Sequence, residues 1–211
     1  MSFQWIIDRA ETISINTKKI VASTQARDGT TRAVSRGGQV WTFDVKLPDG
    51  IPWTELRQYI TQAETLDRTT ASTIQFSNTG HSWIVGYQGS STNITGLGGA
   101  IAIGNITQGS NQITLTSFSS MPVGATYRFR AGDYIQLGSG KCYRVAADVA
   151  SGGTTVALHR PVLDSTASGV YIKVAQHCQW SVICTNFPDW TLMARDQVSW
   201  SGSFTFVENL V

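Results

Sequence analysis

The stretch Trp41-Thr42-Phe43-Asp44-Val45-Lys46-Leu47 decides the fold class of this chain. Its apolar side chains occupy every second position: Trp41, Phe43, Val45 and Leu47. A period of two is typical of a strand that buries one face and exposes the other to water. The C-terminal segment repeats the pattern, because its apolar residues stand at even-numbered positions: Val198, Trp200, Phe204 and Phe206. We therefore expect both segments to face a common core.

A helix is predicted directly after the turn Pro48-Asp49-Gly50. Pro52 is tolerated as a first helical residue, and apolar residues follow at helical spacing: Trp53, Leu56, Tyr59, Ile60, Ala63 and Leu66. The opposite face is polar, so the predicted helix of about 14 residues is amphipathic. Its mixed charge favours a helix that covers one end of a sheet over a helix that binds a membrane surface or a partner. Shorter strands are predicted at Ile13–Asn16, Ile20–Thr24, Thr73–Ser77, Trp83–Tyr87 and Trp180–Cys184.

The composition agrees with a folded, strand-rich protein. The chain has 211 residues, of which 41% are hydrophobic and 10% aromatic, and its net charge is +2. A disordered chain has few aromatics and a high net charge, so disorder is excluded. Only 14% of the residues are charged, against about 25% in an average protein. Ser, Thr and Gly take their place, and together with the β-branched residues they favour strands over helices.

The tryptophans suggest two domains, one inserted into the other. None of the seven Trp falls between residues 91 and 174, a stretch that holds twelve of the twenty Gly. We expect residues 1–90 plus 175–211 to form a discontinuous Trp-rich β-sandwich with the one amphipathic helix. Residues 91–174 should form an inserted small β-barrel, since insertion at an exposed loop is well tolerated.

The inserted segment contains short alternating runs separated by turn residues. The predicted strands are Gln112–Thr116, Tyr127–Arg130, Tyr134–Leu137, Cys142–Val145, Thr154–Leu158 and Val170–Val174. Regular spacing of short strands and turns is typical of a barrel or sandwich. Gly138-Ser139-Gly140 and Ser151-Gly152-Gly153 are each predicted to close a hairpin.

Motif spacing predicts no enzyme, no cofactor and no metal site. The glycine-rich segments lack the spacing of a phosphate-binding or dinucleotide-binding loop, and no nucleophile elbow or His-Glu-x-x-His motif occurs. The three cysteines cannot all pair and show no Cys-x-x-Cys spacing, so we expect reduced, mostly buried thiols. Asp133, Asp148 and Asp164 are expected to form turns, although an acid/base pair among them stays open.

The strongest charge bias lies near the N-terminus. Five cations are opposed by Asp28 alone: Lys18, Lys19, Arg27, Arg32 and Arg36. Such a segment can contact nucleic acid or an acidic partner. However, no aromatics lie among these residues for base stacking, and the net charge is low for a nucleic-acid binder. A solvated loop or a subunit contact is the favoured interpretation.

The N-terminal residues Met1–Arg9 carry Asp8 and lack the basic start and apolar core of a signal peptide. No window of the sequence approaches the roughly 18 consecutive apolar residues of a membrane helix. We therefore expect a protein made in a cytoplasm, without membrane insertion.

Several segments together resemble tail proteins of tailed bacteriophages, in particular minor tail and distal tail proteins. In the outer parts of the chain, the resemblance rests on Arg36–Pro48 with the helix after it, on Ser82–Gly89 and on Gly202–Glu208. In the insert it rests on Ala131–Leu137, Tyr143–Val145 and Thr155–Val162. Each motif is short, but their order covers most of the chain.

The resemblance implies a tail-tube-like sandwich and an inserted barrel of the oligosaccharide/oligonucleotide-binding (OB) type. It also implies a ring, of six copies in distal tail proteins, that joins the tail tube to the hub or fibre-bearing tip of the virion. Phage DNA would pass through the channel without specific binding. The alternative is a host-glycan or receptor-binding module, with aromatics on the insert as candidate contacts: Tyr127, Phe129, Tyr134, Tyr143 and Tyr171.

Overall fold

The computed structural model describes residues 3–17, 21–27, 29–35, 39–65, 70–77, 80–89, 100–118 and 126–210. These residues are mainly β, with one main helix. The α-helices are Gln4–Asp8 (α1) and Trp53–Thr65 (α2), and 3-10 helices span Ser82–Val85 and Ala175–His177. Strands β1 to β9 are Thr12–Asn16, Val21–Gln25, Thr31–Ser35, Thr42–Lys46, Ile51–Pro52, Ser72–Gln75, Ala100–Ile106, Gln112–Ser117 and Tyr127–Phe129. Strands β10 to β18 are Tyr134–Leu137, Cys142–Arg144, Val149–Ala150, Thr155–Ala157, Ala167–Val174, Gln179–Asn186, Trp190–Met193, Gln197–Trp200 and Phe204–Glu208.

The chain divides into two compact units, Met1–Ser72 with Ser181–Val211 and Thr73–Trp180. The expected boundaries were at 90/91 and 174/175. Residues just after 72 belong to the second unit because they pack there: the Phe76 ring lies 5.3 Å from that of Trp180, and the Tyr87 hydroxyl donates to the Arg128 carbonyl. Trp83 and Trp180 therefore lie in the second unit, so tryptophan spacing marks the units only approximately.

The core of the first unit lies on a sheet in which four strands have the order β1-β4-β18-β15. Neighbouring strands are antiparallel, and Phe43 on β4 pairs with Phe206 on β18. Of the residues predicted for this core, Trp53 is half-buried. The others are buried: Trp41, Phe43, Val45, Leu47, Leu56, Ile60, Trp200, Phe204 and Phe206. The two predicted alternating segments thus share one apolar face.

Helix α2 lies where the periodicity predicts it, with Leu56, Ile60 and Ala63 buried. It begins at Trp53 rather than at Pro52, because Pro52 ends the short strand β5. Leu66, predicted for the same face, lies outside the described residues. The short helix α1 was not predicted, since five residues are too few to show a helical period. Its Trp5 ring stacks on Tyr59 of α2 at 5.4 Å.

The second unit contains a six-stranded sheet of order β11-β10-β14-β7-β8-β13 and a separate pair, β12 and β9. Strand β7 is central and pairs with β14 and β8. It was not predicted as a strand, because its Ala100-Ile101-Ala102-Ile103 start buries residues on both faces and so lacks a polar alternation. The buried core includes Phe129, Ile135, Tyr143, Val156, Ile172 and Val174.

Two local predictions are wrong. Trp83–Tyr87 is not a strand, because backbone bonds from Ile84 N to the His81 carbonyl (3.0 Å) and from Gly86 N to the Trp83 carbonyl (3.2 Å) close 3-10 turns. The turn at residues 151–153 does not close a hairpin, because β12 before it pairs with β9 and β13 after it pairs with β8. The hairpin at Gly138-Ser139-Gly140 is confirmed by the pairing of β10 with β11.

Candidate assembly interface

Strands β2 and β3 form a hairpin that pairs with no third strand in the part of the chain that the structure describes. The pairing runs from Val21 with Ser35 to Gln25 with Thr31. The loop closes through a 2.8 Å bond from Ala26 N to the Thr30 carbonyl. Residues 23–27 and 29–31 are exposed. A two-stranded hairpin is marginally stable in water unless another strand or a helix supports it, so this hairpin is suited to receive a partner.

The predicted basic segment coincides with this hairpin. Arg27 lies in its loop and is exposed. Arg32 lies on β3, but its side chain is outside the described residues, as are Lys18, Lys19 and Arg36 altogether. The structure thus locates one cation of the segment at the hairpin tip.

Strand β16 presents an apolar edge in the first unit. It is the outer strand of the three-stranded sheet β16-β17-β5, and no described strand pairs with its other side. Leu192 is 54% exposed and Met193 is 40% exposed. The unpaired N–H and C=O groups of an exposed edge strand are a template for a strand from another chain.

The turn that follows β16 is held in an unusual backbone conformation. Arg195 (φ 66°) and Asp196 (φ 57°) both have left-handed backbone, which costs a non-glycine residue roughly 1–2 kcal/mol. A bond of 2.6 Å from Trp53 N to the Asp196 carbonyl, at the start of α2, holds this turn. The position of the β16 edge is therefore fixed by tertiary contacts as well as by its pairing with β17.

A cavity of about 460 Å³ adjoins the first residue of β16. Three aromatics, two carboxylates and three other residues line it, with no cation among the described residues: Phe3, Ala63, Glu64, Cys184, Phe187, Pro188, Asp189 and Trp190. The Trp190 indole N–H donates to a Glu64 carboxylate oxygen at 3.1 Å. The Trp190 ring also stacks on Trp53, with centroids 4.9 Å apart. The indole is thus oriented by two residues of α2.

Asp49, in the turn before β5, holds β17 in place. Its Oδ1 accepts hydrogen bonds from the Ser199 hydroxyl and from Trp200 N, each at 2.9 Å. The bond from Trp200 N is the larger cause, and that from Ser199 the next, of a pKa lowered below the ordinary aspartate value. Gly50 follows with φ +88°, a conformation that glycine adopts without strain. This turn therefore supports the sheet that carries the β16 edge.

The aromatics considered for glycan binding do not form one exposed surface. Phe129 and Tyr143 are fully buried, and Tyr127 and Tyr134 are half-buried. Tyr171 is 59% exposed. Burial, followed by the hydrogen bond to Asp164, raises the pKa of the Tyr143 hydroxyl far above its ordinary value. Four of the five aromatics are thus buried or half-buried, as is usual for aromatics of a core, and Tyr171 is the exception.

The three aspartates that sequence spacing left open hold loops of the second unit. Asp133 accepts from Gln88 N and Arg130 N, each at 2.8 Å. Asp148 accepts from Ala131 N at 2.7 Å, and Asp164 accepts from the Tyr143 hydroxyl at 2.7 Å. Burial raises the pKa of Asp133 although both backbone bonds oppose this shift. Asp133 thus holds a local turn, as predicted, whereas Asp148 and Asp164 bond to segments 17 and 21 positions away.

The described residues contain no cluster of three potential metal-ligating side chains. Among the helices of the same residues, none is both long and apolar enough to cross a bilayer. Cys142, Cys178 and Cys184 are buried and form no disulfide within the described residues.

Sequence reasoning missed the β16 edge and the adjoining cavity. The segment Trp190-Thr191-Leu192-Met193 is too short to show a period, and its pairing with β17 depends on a three-residue turn without glycine. Pro188-Asp189 before it is a turn signal that marks where such a strand can begin. Searches of protein-family models and of curated protein sequences found no match to this chain.

Proposed function

We propose that this chain is a structural subunit of a bacteriophage tail tip, a distal tail protein whose copies form a ring between the tail tube and the hub or fibre-bearing tip. Its partners would be itself, the tail tube protein and the hub or fibre proteins, and its location would be the virion. We propose a phage tail as the assembly because the segments named above resemble tail proteins of tailed bacteriophages. No cofactor and no catalysis is part of this role.

One observation carries the proposal: the first unit has two incomplete β surfaces. The β2–β3 hairpin lacks a third strand, and β16 lacks a partner on its outer edge, within the described residues. Monomeric proteins commonly protect such edges with charges, prolines or short strands. Strand β16 is short, with four residues, but it carries no charge and no proline, and Leu192 and Met193 are exposed on it. Surfaces of this kind are suited to an assembly in which neighbouring copies complete each other.

The proposal also includes a finer description of the fold. The first unit would be a tail-tube-like sandwich, and the second would be an inserted barrel of OB type. The six-stranded antiparallel sheet and the β9–β12 pair of the second unit are compatible with a barrel. A barrel requires β11 and β13, the outer strands of that sheet, to lie close together, and a crystal structure in which they lie far apart would contradict it.

The glycan-binding alternative has weaker support. It requires several aromatics on an open face, whereas Tyr171 is the candidate that is mostly exposed. A glycan array with the full-length protein tests it. Binding abolished by Tyr171→Ala, with the fold unchanged, would favour this alternative.

The assembly role is tested by negative-stain electron microscopy of the purified full-length protein, together with light scattering after size exclusion. The proposal predicts a closed ring with a central pore. A protein that stays monomeric at all attainable concentrations, and that does not assemble when mixed with tail tube or hub proteins, would contradict it.

A further inference from the structure

We propose that the cavity beside β16 is a binding site for an arginine side chain, presented by an extended segment of a partner protein. All the described lining residues belong to the first unit. The inference goes beyond the proposed function, because the site does not depend on ring formation by this chain. It assigns the cavity a ligand class, which is a planar cation on an apolar stem with an apolar residue close to it.

The size and depth of the cavity are the first argument. Its volume of about 460 Å³ lies within the range of roughly 300–1,000 Å³ that ligand cavities have. Buried side chains form its apolar part: Phe3, Ala63 and Cys184. Glu64 and Asp189 are exposed. A long side chain can therefore bury its apolar stem in the cavity while its charged head stays near water.

Aromatic rings give the cavity a preference for a planar cation. Phe187 and Trp190 both line it. One face of the Trp190 ring is stacked on Trp53, which does not line the cavity, so Trp190 borders the cavity with the side turned away from Trp53. The Phe187 ring is held edge-on by Phe204, with centroids 4.8 Å apart. A guanidinium stacks favourably on such fixed rings, and it does so more often than an ammonium.

The two carboxylates are the third argument. In the described part of the chain, neither Glu64 nor Asp189 forms an ion pair. One oxygen of Glu64 accepts the Trp190 indole N–H at 3.1 Å, which leaves the other oxygen for a ligand. The backbone at Asp189 is held by a 2.9 Å bond from Ser201 N to the Asp189 carbonyl. A guanidinium has five N–H donors in one plane, so it can bond a carboxylate while its face contacts a ring.

Cations close to the site in the sequence are fewer than its acids. Most of the lining comes from residues 60–70 and 187–196, which contain four acids and two cations: Glu64, Asp67, Asp189, Asp196, Arg68 and Arg195. Arg195 lies beyond the far end of β16 from the cavity. Arg68 follows Glu64 by four positions and lies outside the described residues, so one arm of the test replaces it.

Leu192 favours a protein segment over a free cation as the ligand. Trp190 and Leu192 are two positions apart on β16, so their side chains lie on the same face of the strand. Leu192 is 54% exposed, and the outer edge of β16 pairs with no described strand. An extended segment can bond to that edge, insert an arginine beside Trp190 and cover Leu192 with a second side chain. A free cation would leave Leu192 in water.

Ligand-observed saturation-transfer NMR with the full-length protein tests the site, whether the protein is monomeric or assembled. The probe is the peptide acetyl-Ala-Arg-Ala-Leu-amide, and the matched control peptide carries citrulline, which has a similar shape but no charge. The citrulline peptide should bind about fivefold more weakly or less, because a hydrogen bond to a charged group is stronger than a neutral one. Argininamide alone should bind about threefold more weakly or less, because it lacks the apolar side chain.

Substitutions locate the binding. Asp189→Asn and Glu64→Gln each remove one charge with little change of shape, and each should weaken peptide binding about two- to fivefold, the range for an exposed ion pair. Glu64→Gln keeps an oxygen that can accept the Trp190 indole N–H. Trp190→Leu should weaken binding by a similar factor, because it removes the aromatic face. Glu55→Gln, at an exposed position of α2 that does not line the cavity, is the matched control and should leave binding unchanged.

Three outcomes would overturn the inference. Equal binding of the arginine and citrulline peptides, or peptide binding that survives Asp189→Asn combined with Glu64→Gln, would contradict the cation site. Argininamide that binds as tightly as the peptide would contradict a protein segment as the ligand. Peptide binding that appears only in Arg68→Gln would show that the chain fills the cavity with its own arginine.

The same measurements separate this inference from the proposed function. Rings that bind neither peptide would overturn the arginine site and leave the ring-forming role standing. Arginine-dependent binding by a protein that stays monomeric would support the site although the ring is contradicted. Oligomers that become smaller when Glu64→Gln and Asp189→Asn are combined would show that the occupant is a second copy of this chain instead of a partner protein.

Discussion

Individual residues of this protein act mainly as links between backbone segments. Asp49 is the clearest example, because one carboxylate oxygen receives both the Ser199 hydroxyl and Trp200 N. The sequence predicts a turn at Pro48-Asp49-Gly50, and the structure contains it. The partners of Asp49 were not predictable, since they lie about 150 residues away in the chain and depend on the pairing of β17 with β5.

Asp49 should contribute to stability in a pH-dependent way. Its pKa is lower in the folded protein than in the unfolded chain, so the stabilisation is present above the unfolded value and is lost as the pH falls through the folded value. Asp49→Asn keeps an oxygen acceptor but cannot ionise. The variant should be less stable at neutral pH, and the difference from wild type should shrink on acidification below about pH 4.

Thermal unfolding between neutral pH and about pH 3 measures this effect, because that range spans the unfolded aspartate pKa. Asp8→Asn, at an exposed aspartate of α1, serves as the control for general loss of a carboxylate. A stability difference between Asp49→Asn and wild type that does not change with pH would refute the role of ionisation.

Gly104 should be required where β7 and β8 approach each other. A Cβ at this position would lie 2.9 Å from the Thr114 carbonyl oxygen and 3.2 Å from Ile172 Cδ1. Gly104→Ala is therefore expected to reduce the free energy of unfolding by about 1–3 kcal/mol through overpacking. Gly152→Ala is the matched control, because nothing lies within 4 Å of its added Cβ. Urea unfolding measures the free energy of unfolding of both variants. Equal values would contradict the described packing of β7.

Among the elements, those with one buried and one exposed face were predictable. Strands β4 and β18 show the period of two, and α2 shows the helical period, because burial on one side imposes the pattern on the sequence. Strand β7 was missed because it is buried on both sides. The 3-10 helix Ser82–Val85 was misassigned because its apolar run resembles a strand, although Trp83 is 75% exposed.

Helix α2 should be held by its buried face. Ile60 is 1% exposed, and Leu56 on the same face is fully buried. Ile60→Ala should lower the free energy of unfolding by about 2–5 kcal/mol, the usual cost of truncating a buried isoleucine. Gln58→Ala on the exposed face of the same helix should change it by less than about 0.5 kcal/mol. Similar urea midpoints for both variants would show that α2 does not pack as described.

One of the two parts of the candidate interface, the hairpin, could be predicted from the sequence, and the other, the β16 edge, could not. The hairpin strand near Ile20–Thr24 and the basic segment are local features, and both are visible in the sequence. The β16 edge is a non-local feature, because a strand becomes an edge only through the order of its neighbours in the sheet. Glu64 and Trp190 meet across 126 positions, a distance that no spacing rule covers.

At the scale of the whole molecule, the proposed ring subunit has two compact units, with a hairpin that has no third strand among the described residues and an apolar edge strand, both in the first unit. The low charge fits this role, since 14% charged residues leave few groups to desolvate where copies meet. Ser and Thr on such faces retain hydrogen-bonding capacity at a smaller desolvation cost than Lys or Glu. We therefore propose that copies of this chain assemble through the first unit.

Native mass spectrometry of the purified full-length protein measures this self-assembly. A closed oligomer is expected, with six times the mass of one chain, and Leu192→Lys but not Leu163→Lys should shift it toward smaller species. A single-chain mass at every concentration, unchanged when tail tube or hub proteins are added, would contradict it.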